Sequence, residues 1–199
     1  MLRKPIFAAA ICAIVLSSSS AFAWDGSRKG FQLGGGLGIA AVMWEQEVEI
    51  WGLSFKSDTE SDFALATDFK IGYAPTDQLA IYYFEKTGWF TMTNILDDDV
   101  IVASGVSGVG ASYYFAPEAP SFLLSGGLGF ASWSLPFEDN GWEDTWYGFG
   151  LTAGVGYEFI PHLHAGLDFV WAQAQDNESG IDVTTNAYAF LLTINATGY

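Results

Sequence analysis

Eight stretches of the chain alternate apolar residues with small or polar residues, and this period of two restricts the fold more than any other feature of the sequence. The stretch from Tyr147 to Phe159 is the clearest, because its odd positions are apolar and its even positions are glycine, threonine or glutamate. Successive side chains of a β-strand point to opposite faces, so each stretch predicts a strand with one apolar face. The predicted strands cover approximately residues 31–43, 63–73, 79–83, 100–115, 122–130, 147–159, 163–171 and 188–194.

The connections between these strands alternate in length. Three are short and contain proline, at residues 74–78, 116–121 and 160–162; four are longer and polar, at about residues 45–62, 87–99, 133–144 and 173–182. Eight antiparallel strands with short turns at one end and long loops at the other predict an up-and-down β-barrel. Both chain ends then lie at the short-turn end. In the fourth strand the apolar residues change parity, which predicts a β-bulge near Gly105 to Gly108.

The distribution of large and small residues indicates which face of each strand points outward. Large apolar residues occupy one face, whereas glycine, alanine, serine and threonine dominate the other, as in a narrow barrel with lipid outside. The apolar faces carry no charge except Glu85, which the sequence places near a loop end. Beyond residues 1–23, no run of about 18 apolar residues predicts a transmembrane helix. The sequence therefore predicts an all-β, eight-stranded antiparallel up-and-down transmembrane β-barrel, and a secreted lipocalin-like barrel is the alternative.

Aromatic residues cluster at both ends of the predicted strands, where a membrane barrel has its two interfaces. One group lies where strands meet long loops, and the other lies beside the short turns. The two predicted belts are Trp44, Trp89, Trp133, Trp146 and Trp171 at the long loops, and Tyr73, Tyr113, Tyr114, Tyr157 and Phe159 at the short turns.

The first 23 residues have the three parts of a secretory signal peptide. Arg3 and Lys4 form a basic start, residues 6–16 are apolar, and residues 21–23 form a small-x-small cleavage signal. The chain is therefore predicted to divide into a signal peptide, 1–23, and a β-barrel, 24–199. The single cysteine, Cys12, falls in the signal segment, so no disulfide framework is expected.

The chain resembles the small eight-stranded outer-membrane β-barrels of Gram-negative bacteria, the OmpA/OmpX-like group. The resemblance covers residues 30–199 and rests on this architecture and on pieces such as Val109 to Phe115 and Val155 to Phe159. It implies export to the cell outer membrane, insertion by the barrel-assembly machinery and a structural or adhesive role. Members end in an aromatic residue, as this chain does at Tyr199, but Tyr199 has the opposite parity from the apolar face of the last strand. A bulge at Thr197-Gly198 or an atypical insertion signal would account for this difference.

Several ionisable residues fall on the predicted inner face. Lys70 and Asp68, with Asp168 at a similar depth, are expected to form a buried ionic network, since an unpaired buried charge is costly. The network either fills the lumen or lines a channel. His162 is expected in a turn and His164 in the lumen, and a metal site on these two histidines is the less favoured interpretation. The predicted lumen residues are Asp68, Lys70, Lys86, Glu158, His164 and Asp168.

The long connections are strongly acidic, with Lys56 as their one basic residue. The simpler interpretation is a solvated, repulsive surface. The functional interpretation is binding of Ca²⁺ or Mg²⁺ that bridges to lipopolysaccharide phosphates, or recognition of a basic surface partner. The candidate cation-binding residues are Glu45, Glu47, Glu49, Asp97, Asp98, Asp99, Glu138, Asp139, Glu143 and Asp144.

These features favour a structural or surface-interaction role in which a rigid barrel displays acidic loops. The formal net charge of −16 excludes nucleic acid as a partner, because phosphate binding needs clustered basic residues. A monomer without catalytic function and without a resident cofactor is expected. A narrow porin-like channel for small solutes or ions is the first alternative. A lipid A-modifying enzyme is the second, and it would need a histidine near the outer leaflet, where neither histidine is predicted.

Overall fold

The computed structural model describes residues 26–51, 53–93, 99–137, 145–178 and 181–199. The strands are β1 (Gly30–Ile50), β2 (Leu53–Lys56), β3 (Glu60–Ala74), β4 (Leu79–Thr93), β5 (Asp99–Tyr114), β6 (Ser121–Ser134), β7 (Trp146–Ile160), β8 (Leu163–Glu178) and β9 (Ile181–Gly198). Within the described ranges, no helix has the length and hydrophobicity that crossing a bilayer requires.

Eight of these strands close into a ring. Each strand from β3 to β9 is antiparallel to the next, and β1 pairs with both β3 and β9. The short β2 pairs with the last four residues of β1 as the second arm of a hairpin. The predicted eight-stranded, antiparallel, up-and-down barrel is therefore confirmed.

Proline occurs in each short connection. Residues 75–78 join β3 to β4, residues 115–120 join β5 to β6, and residues 161–162 join β7 to β8. Proline cannot donate to a sheet ladder, so it ends strand pairing at these points. Barrels of this kind place short turns on the periplasmic side and longer loops outside the cell. The short-turn end therefore corresponds to the periplasmic end of such a barrel.

The strands at the long-loop end run further than the sequence predicts. β1 continues to Ile50 and β8 to Glu178, and β1 stays paired with β9 as far as the Ile50–Ile181 pair. Glu45 and its acidic neighbours on β1 therefore lie on a strand and not in a loop. The apolar alternation fades there, although main-chain pairing continues.

The predicted bulge in the fourth stretch is wrong. β5 keeps one continuous register with β4 and with β6, without a shift between Gly105 and Gly108. Val102 and Val106 change parity because they point into the barrel and are fully buried, whereas Val109 points outward and is 62% exposed. The change of parity marks the end of the segment in which β5 directs apolar side chains into the interior.

The exterior of the ring is apolar, as the sequence predicts. Its most exposed side chains are aromatic or aliphatic; Phe130 is 72% exposed and Leu37 is 64% exposed. A soluble barrel buries such residues, so this surface is suited to contact with lipid.

The aromatic belts match the prediction only in part. The structure turns four of the ten predicted belt residues inward: Trp44, Tyr114, Trp133 and Trp146. Parity gives the reason, since Trp133 shares its face with the buried Ala131 and Trp44 shares its face with the buried Val42. Position near a strand end predicts an interface residue less well than parity does.

The interior divides into two parts of different chemistry. Ionisable and amide side chains line the part towards the short-turn end, which we call the polar chamber: Arg28, Gln32, Asp68, Lys70, Lys86, Glu158, His164, Asp168 and Asn195. Apolar side chains fill the part towards the long-loop end, which we call the apolar plug: Val42, Trp44, Phe90, Val102 and Trp133.

Candidate functional site

An ion-pair bridge crosses the polar chamber between opposite walls of the barrel. The Nζ atom of Lys86 on β4 lies 2.5 Å from Oδ2 of Asp68 and 2.9 Å from Oδ2 of Asp168. Asp68 is the direct neighbour of Lys86 on β3, whereas Asp168 reaches across from β8. The Ser125 hydroxyl donates to the other oxygen of Asp168 at 3.2 Å. All three charged side chains are more than nine-tenths buried, so the bridge both fills the lumen and binds its walls together.

Lys70 is the cation that the sequence analysis pairs with Asp68, and the structure corrects this pairing. Lys86 stands directly opposite Asp68 in the β3–β4 register, whereas Lys70 stands opposite Phe84. The Lys70 ammonium lies 5.9 Å from the centre of the Tyr82 ring and forms no salt bridge with a described carboxylate. The described network joins Asp68, Lys86 and Asp168, and Lys70 lies outside it.

Lys70 and His164 both border a cavity of about 20 Å³ in the polar chamber, close to the ion-pair bridge. A volume of this size holds about one water molecule. Both side chains are buried, and no hydrogen bond joins either of them to another described residue. Their polar atoms are therefore placed to bond to water inside the chamber, and the cavity is too small for a hydrated ion or a solute.

The buried charges of the described interior balance. The three cations are Arg28, Lys70 and Lys86, and the three carboxylates are those of Asp68, Glu158 and Asp168. Charged channels select ions with rings of side chains of one sign. A balanced interior instead satisfies its own charges and offers no net attraction to an ion of either sign.

The Arg28 side chain closes the mouth of the barrel at the short-turn end. Its guanidinium donates to the Glu158 carboxylate through Nε, at 2.8 Å, and through Nη2. It also lies 4.2 Å from the centre of the Tyr114 ring. Through Nη1 it donates to the main-chain oxygens of Asp77, Ala116 and Pro117, at 2.8 to 3.1 Å. One buried side chain therefore ties β7 to two of the short turns.

Tyr199 reaches the same carboxylate from the end of β9. Its hydroxyl donates to Oε1 of Glu158 at 2.8 Å and accepts from the main-chain N–H of His162 at 3.0 Å. The His162 ring stacks on it, with the ring centres 4.3 Å apart. β9 reaches Gly198 without a shift in register, so the predicted bulge at Thr197-Gly198 is wrong and the Tyr199 ring points into the barrel mouth. We call Arg28, Glu158 and Tyr199 the Arg28 clasp.

Arg28 is the residue of this site that sequence reasoning misses. It precedes the first alternating stretch, so no periodicity assigns it a face. The Gln32 amide donates to the main-chain oxygen of Arg28 at 3.0 Å and fixes the approach of this segment to β1. The sequence signals for the clasp are the predicted inward position of Glu158 and the parity of Tyr199.

The apolar plug fills the lumen beyond the polar chamber. The ring centres of Trp44 and Phe90 are 4.8 Å apart, those of Phe90 and Trp133 are 5.6 Å apart, and those of Trp44 and Trp133 are 6.2 Å apart. These residues come from β1, β4 and β6, so the three rings meet across the barrel interior. Each is at most 5% exposed, so the three rings pack closely and offer almost no surface to water at this level.

Beyond the plug, strands β8, β9, β1 and β2 continue as a four-stranded sheet. We call this sheet the upper wall, and it comprises residues 45–50, 53–56, 175–178 and 181–185. Direct register partners share one face of a sheet, so Val48 and Val183 lie on one face, and Glu49 and Asp182 lie on the other. Trp44 has the parity of Val48 and points inward. The acidic face of the upper wall is therefore its outer face.

The structure describes four of the ten predicted cation-binding residues. Glu45 forms an ion pair with Lys56 at 2.8 Å, Glu47 accepts a hydrogen bond from Ser54, and Asp99 begins β5. The predicted residues that lie outside the described ranges are Asp97, Asp98, Glu138, Asp139, Glu143 and Asp144. Among the residues that the structure describes, no three His, Cys, Asp or Glu side chains form a cluster suited to a metal ion.

The chain is similar to solved structures of outer-membrane proteins. The outer membrane protein OprG from Pseudomonas aeruginosa is 15% identical over 87% of this chain and 98% of its own, with a TM-score of 0.50. Neisserial surface protein A, NspA, is 14% identical over 85% of this chain and 97% of its own, with a TM-score of 0.48. The outer membrane protein AlkL, solved in DMPC lipid bilayers, is 12% identical over 86% of this chain and 92% of its own, with a TM-score of 0.49.

No protein-family model matches the chain, and no curated protein matches its sequence. At 15% identity, the likeness to OprG shows a shared fold and not a shared activity. Together with the apolar exterior, it shows that the chain has the fold of the small outer-membrane β-barrels, with a surface suited to lipid.

Proposed function

We propose that this outer-membrane barrel is a closed scaffold that presents its upper wall at the cell surface for interaction with a basic partner. The observation that carries the proposal is the obstruction of the lumen at three successive levels. The Arg28 clasp closes the mouth, the Lys86 bridge spans the polar chamber, and the apolar plug fills the remainder. An eight-stranded interior is just wide enough to be filled by side chains in this way.

A porin-like channel is supported less well by this geometry. Conduction would require the clasp, the bridge and the plug to open together. Each opening would expose a buried charge or remove packed rings, and both changes are costly.

The upper wall supports the interaction role. Glu49 and Asp182 are direct register partners, and like charges directly opposite each other destabilise a sheet. A basic side chain or a divalent cation placed between them would relieve this repulsion. Because the wall is built from paired strands, it would hold these carboxylates in a fixed arrangement.

The proposal includes no catalysis. The two histidines, His162 and His164, lie at the short-turn end, whereas a lipid A-modifying enzyme would act at the outer leaflet. Insertion by the barrel-assembly machinery and contact with lipopolysaccharide belong to the proposal as consequences of the fold.

Conductance in planar bilayers tests the closed scaffold. The full chain, refolded into detergent and added to both chambers, is expected to stay silent. The double variant Trp44→Ala/Trp133→Ala is a control in which the plug alone is opened, while the clasp and the bridge are retained. Discrete unit steps from the unaltered chain would overturn the closed-lumen proposal in favour of the channel.

Binding of a lysine-rich peptide tests the role of the upper wall. We expect the double variant Glu49→Gln/Asp182→Asn to bind the peptide more weakly than the unaltered chain. The double variant Glu60→Gln/Asp62→Asn on β3 removes the same charge elsewhere on the exposed long-loop end and should retain binding. Equal weakening by both variants, or no binding by the unaltered chain, would contradict the assignment. Calorimetry with Ca²⁺ and Mg²⁺ tests the cation alternative, which the absence of both heat and thermal shift would refute.

A further inference from the structure

Glu85 places a carboxylate on the lipid-facing surface of the barrel. The sequence predicts Glu85 near a loop end, but the structure places it midway along the fifteen residues of β4. Its side chain points outward and is exposed, like that of Tyr83 two positions earlier. Its direct register partners are Phe69 on β3 and Ser107 on β5. Glu85 therefore lies within the apolar band and not at its edge.

No group on the described chain compensates this charge. No hydrogen bond or ion pair joins Glu85 to another described residue. The described cations that lie within the strands of the ring, Lys70 and Lys86, point into the barrel. An ionisable side chain facing hydrocarbon is costly and usually marks a functional contact. A partner from outside the chain would supply the contact that the described chain does not make.

The surface beside Glu85 differs from the rest of the barrel exterior. Ser107 flanks Glu85 on the outer face of β5, where other strands carry large residues such as Leu128 and Phe169. Thr87 follows Glu85 on the same face of β4 but is only 7% exposed. Small residues let a second backbone approach closely within a membrane, and hydroxyl groups supply hydrogen bonds across the contact. This patch combines a donor and an acceptor within one pair of neighbouring strands.

We propose that the outer face of β4 and β5 is the contact surface for a second copy of this chain, with Glu85 of each copy accepting a hydrogen bond from Ser107 of the other. A two-fold axis along the membrane normal, passing between β4 and β5, exchanges the positions of the two strands across the contact. Because Glu85 and Ser107 are direct partners across that strand pair, the axis sets each one against the other residue of the second copy. The contact is self-complementary, as a closed dimer requires.

A second copy fits this patch better than an unrelated membrane protein does. The patch supplies its own donor and its own acceptor, so two identical surfaces satisfy each other without any further chemistry. This inference replaces the monomer expected from the sequence and does not depend on the function proposed for the upper wall.

Cysteine crosslinking in lipid bilayers tests the dimer. In a Cys12→Ser background, Val109→Cys places a thiol on the outer face of β5 next to Ser107, and Leu167→Cys places one on the outer face of β8 across the barrel. Both native side chains are exposed to lipid, so the second variant is a matched control. Because the axis sets Val109 of each copy diagonally across from Val109 of the other, a short bismaleimide linker and not a direct disulfide joins the two thiols. We expect this linker to give about fivefold to tenfold more covalent dimer of the folded full chain for Val109→Cys than for Leu167→Cys.

Two further substitutions in the Val109→Cys chain assign the contact to Glu85. Glu85→Leu should lower the dimer yield to that of the control while leaving the barrel folded, as heat-modifiable gel mobility reports. Glu85→Gln keeps an acceptor for the serine hydroxyl and should retain most of the yield. Equal yields from the two cysteine positions would overturn the dimer. A yield that Glu85→Leu leaves unchanged would overturn the role of Glu85.

Discussion

The polar chamber and the apolar plug fill the same lumen to nearly complete burial, but different forces hold them. In the chamber, Lys86 must meet Asp68 and Asp168 in the correct positions, because each charge is costly without its partner. In the plug, the rings of Trp44, Phe90 and Trp133 require only matching shapes. A substitution that conserves volume should therefore be harmless in the plug and severe in the chamber.

The largest effect is expected from Lys86→Met. The methionine has a similar volume, but it leaves Asp68 and Asp168 buried without their cation, which costs about 3–5 kcal/mol of unfolding free energy. Urea unfolding of the folded chain in lipid vesicles measures the loss.

Two variants serve as controls for this prediction. Lys70→Met removes a buried lysine without a carboxylate partner and should cost less than about 1.5 kcal/mol. Lys86→Met combined with Asp68→Asn and Asp168→Asn removes all three charges and should recover most of the stability. Equal losses for Lys86→Met and Lys70→Met would show that the ion-pair bridge does not stabilise the barrel.

Variants of Trp133 test how the apolar plug responds to changes of side-chain volume. Trp133→Ala should cost about 3 kcal/mol because it leaves a cavity, whereas Trp133→Phe should cost less than about 1.5 kcal/mol because most of the ring packing survives. The same urea measurement reports both values. A loss for Trp133→Phe as large as that for Lys86→Met would remove the distinction between the two parts of the lumen.

The Arg28 clasp is expected to show an intermediate sensitivity. Arg28→Gln removes the charge that faces Glu158 but leaves the Tyr199 hydroxyl as a donor, so we expect a loss of about 2 kcal/mol. Tyr199→Phe removes one hydrogen bond to the carboxylate and should cost about 1 kcal/mol. Circular dichroism during urea unfolding measures both, and a larger loss for Tyr199→Phe would reverse the assigned roles.

The smallest effect concerns pH at the short-turn end. The hydrogen bond from the Ser27 hydroxyl lowers the pKa of Asp77 below its usual range. A carboxylate with a lowered pKa stabilises the folded state above its unfolded pKa, and this contribution is lost as the pH falls through the folded value. We therefore expect acidification to loosen residues 27–29 before the barrel unfolds, as amide exchange would report. Asp77→Asn should remove that pH dependence.

The alternation of side chains predicts the ring and the inward positions well, because parity depends only on local strand geometry. Parity places Asp68, Lys86 and Asp168 on the inner face without any knowledge of the fold. It does not predict which charges pair. The Asp68–Lys86 pairing depends on the register of β3 and β4, and Asp168 joins them only because closure of the ring sets β8 opposite β4.

The errors have a common physical origin. Trp44 and Trp133 were expected at the membrane interface because strand-end tryptophans favour it, but their parity directs them inward. Glu45 and Glu49 were expected in a loop because alternation ends there, yet main-chain pairing with β9 holds them in a strand. Arg28 has no local pattern at all, since its partners lie 49 to 130 positions away along the chain.

Because of those long separations, the Arg28 clasp depends on assembly of the whole barrel. Its partners lie on the first turn, the second turn, β7 and the end of β9, so the full set exists only when every strand has taken its place. A barrel that lacked a strand, or in which β1 and β9 had paired out of register, would leave Arg28 and Glu158 without each other as partners. Arg28, near the start of the described chain, therefore has its full set of contacts only when Tyr199, at the end of the chain, is also in place.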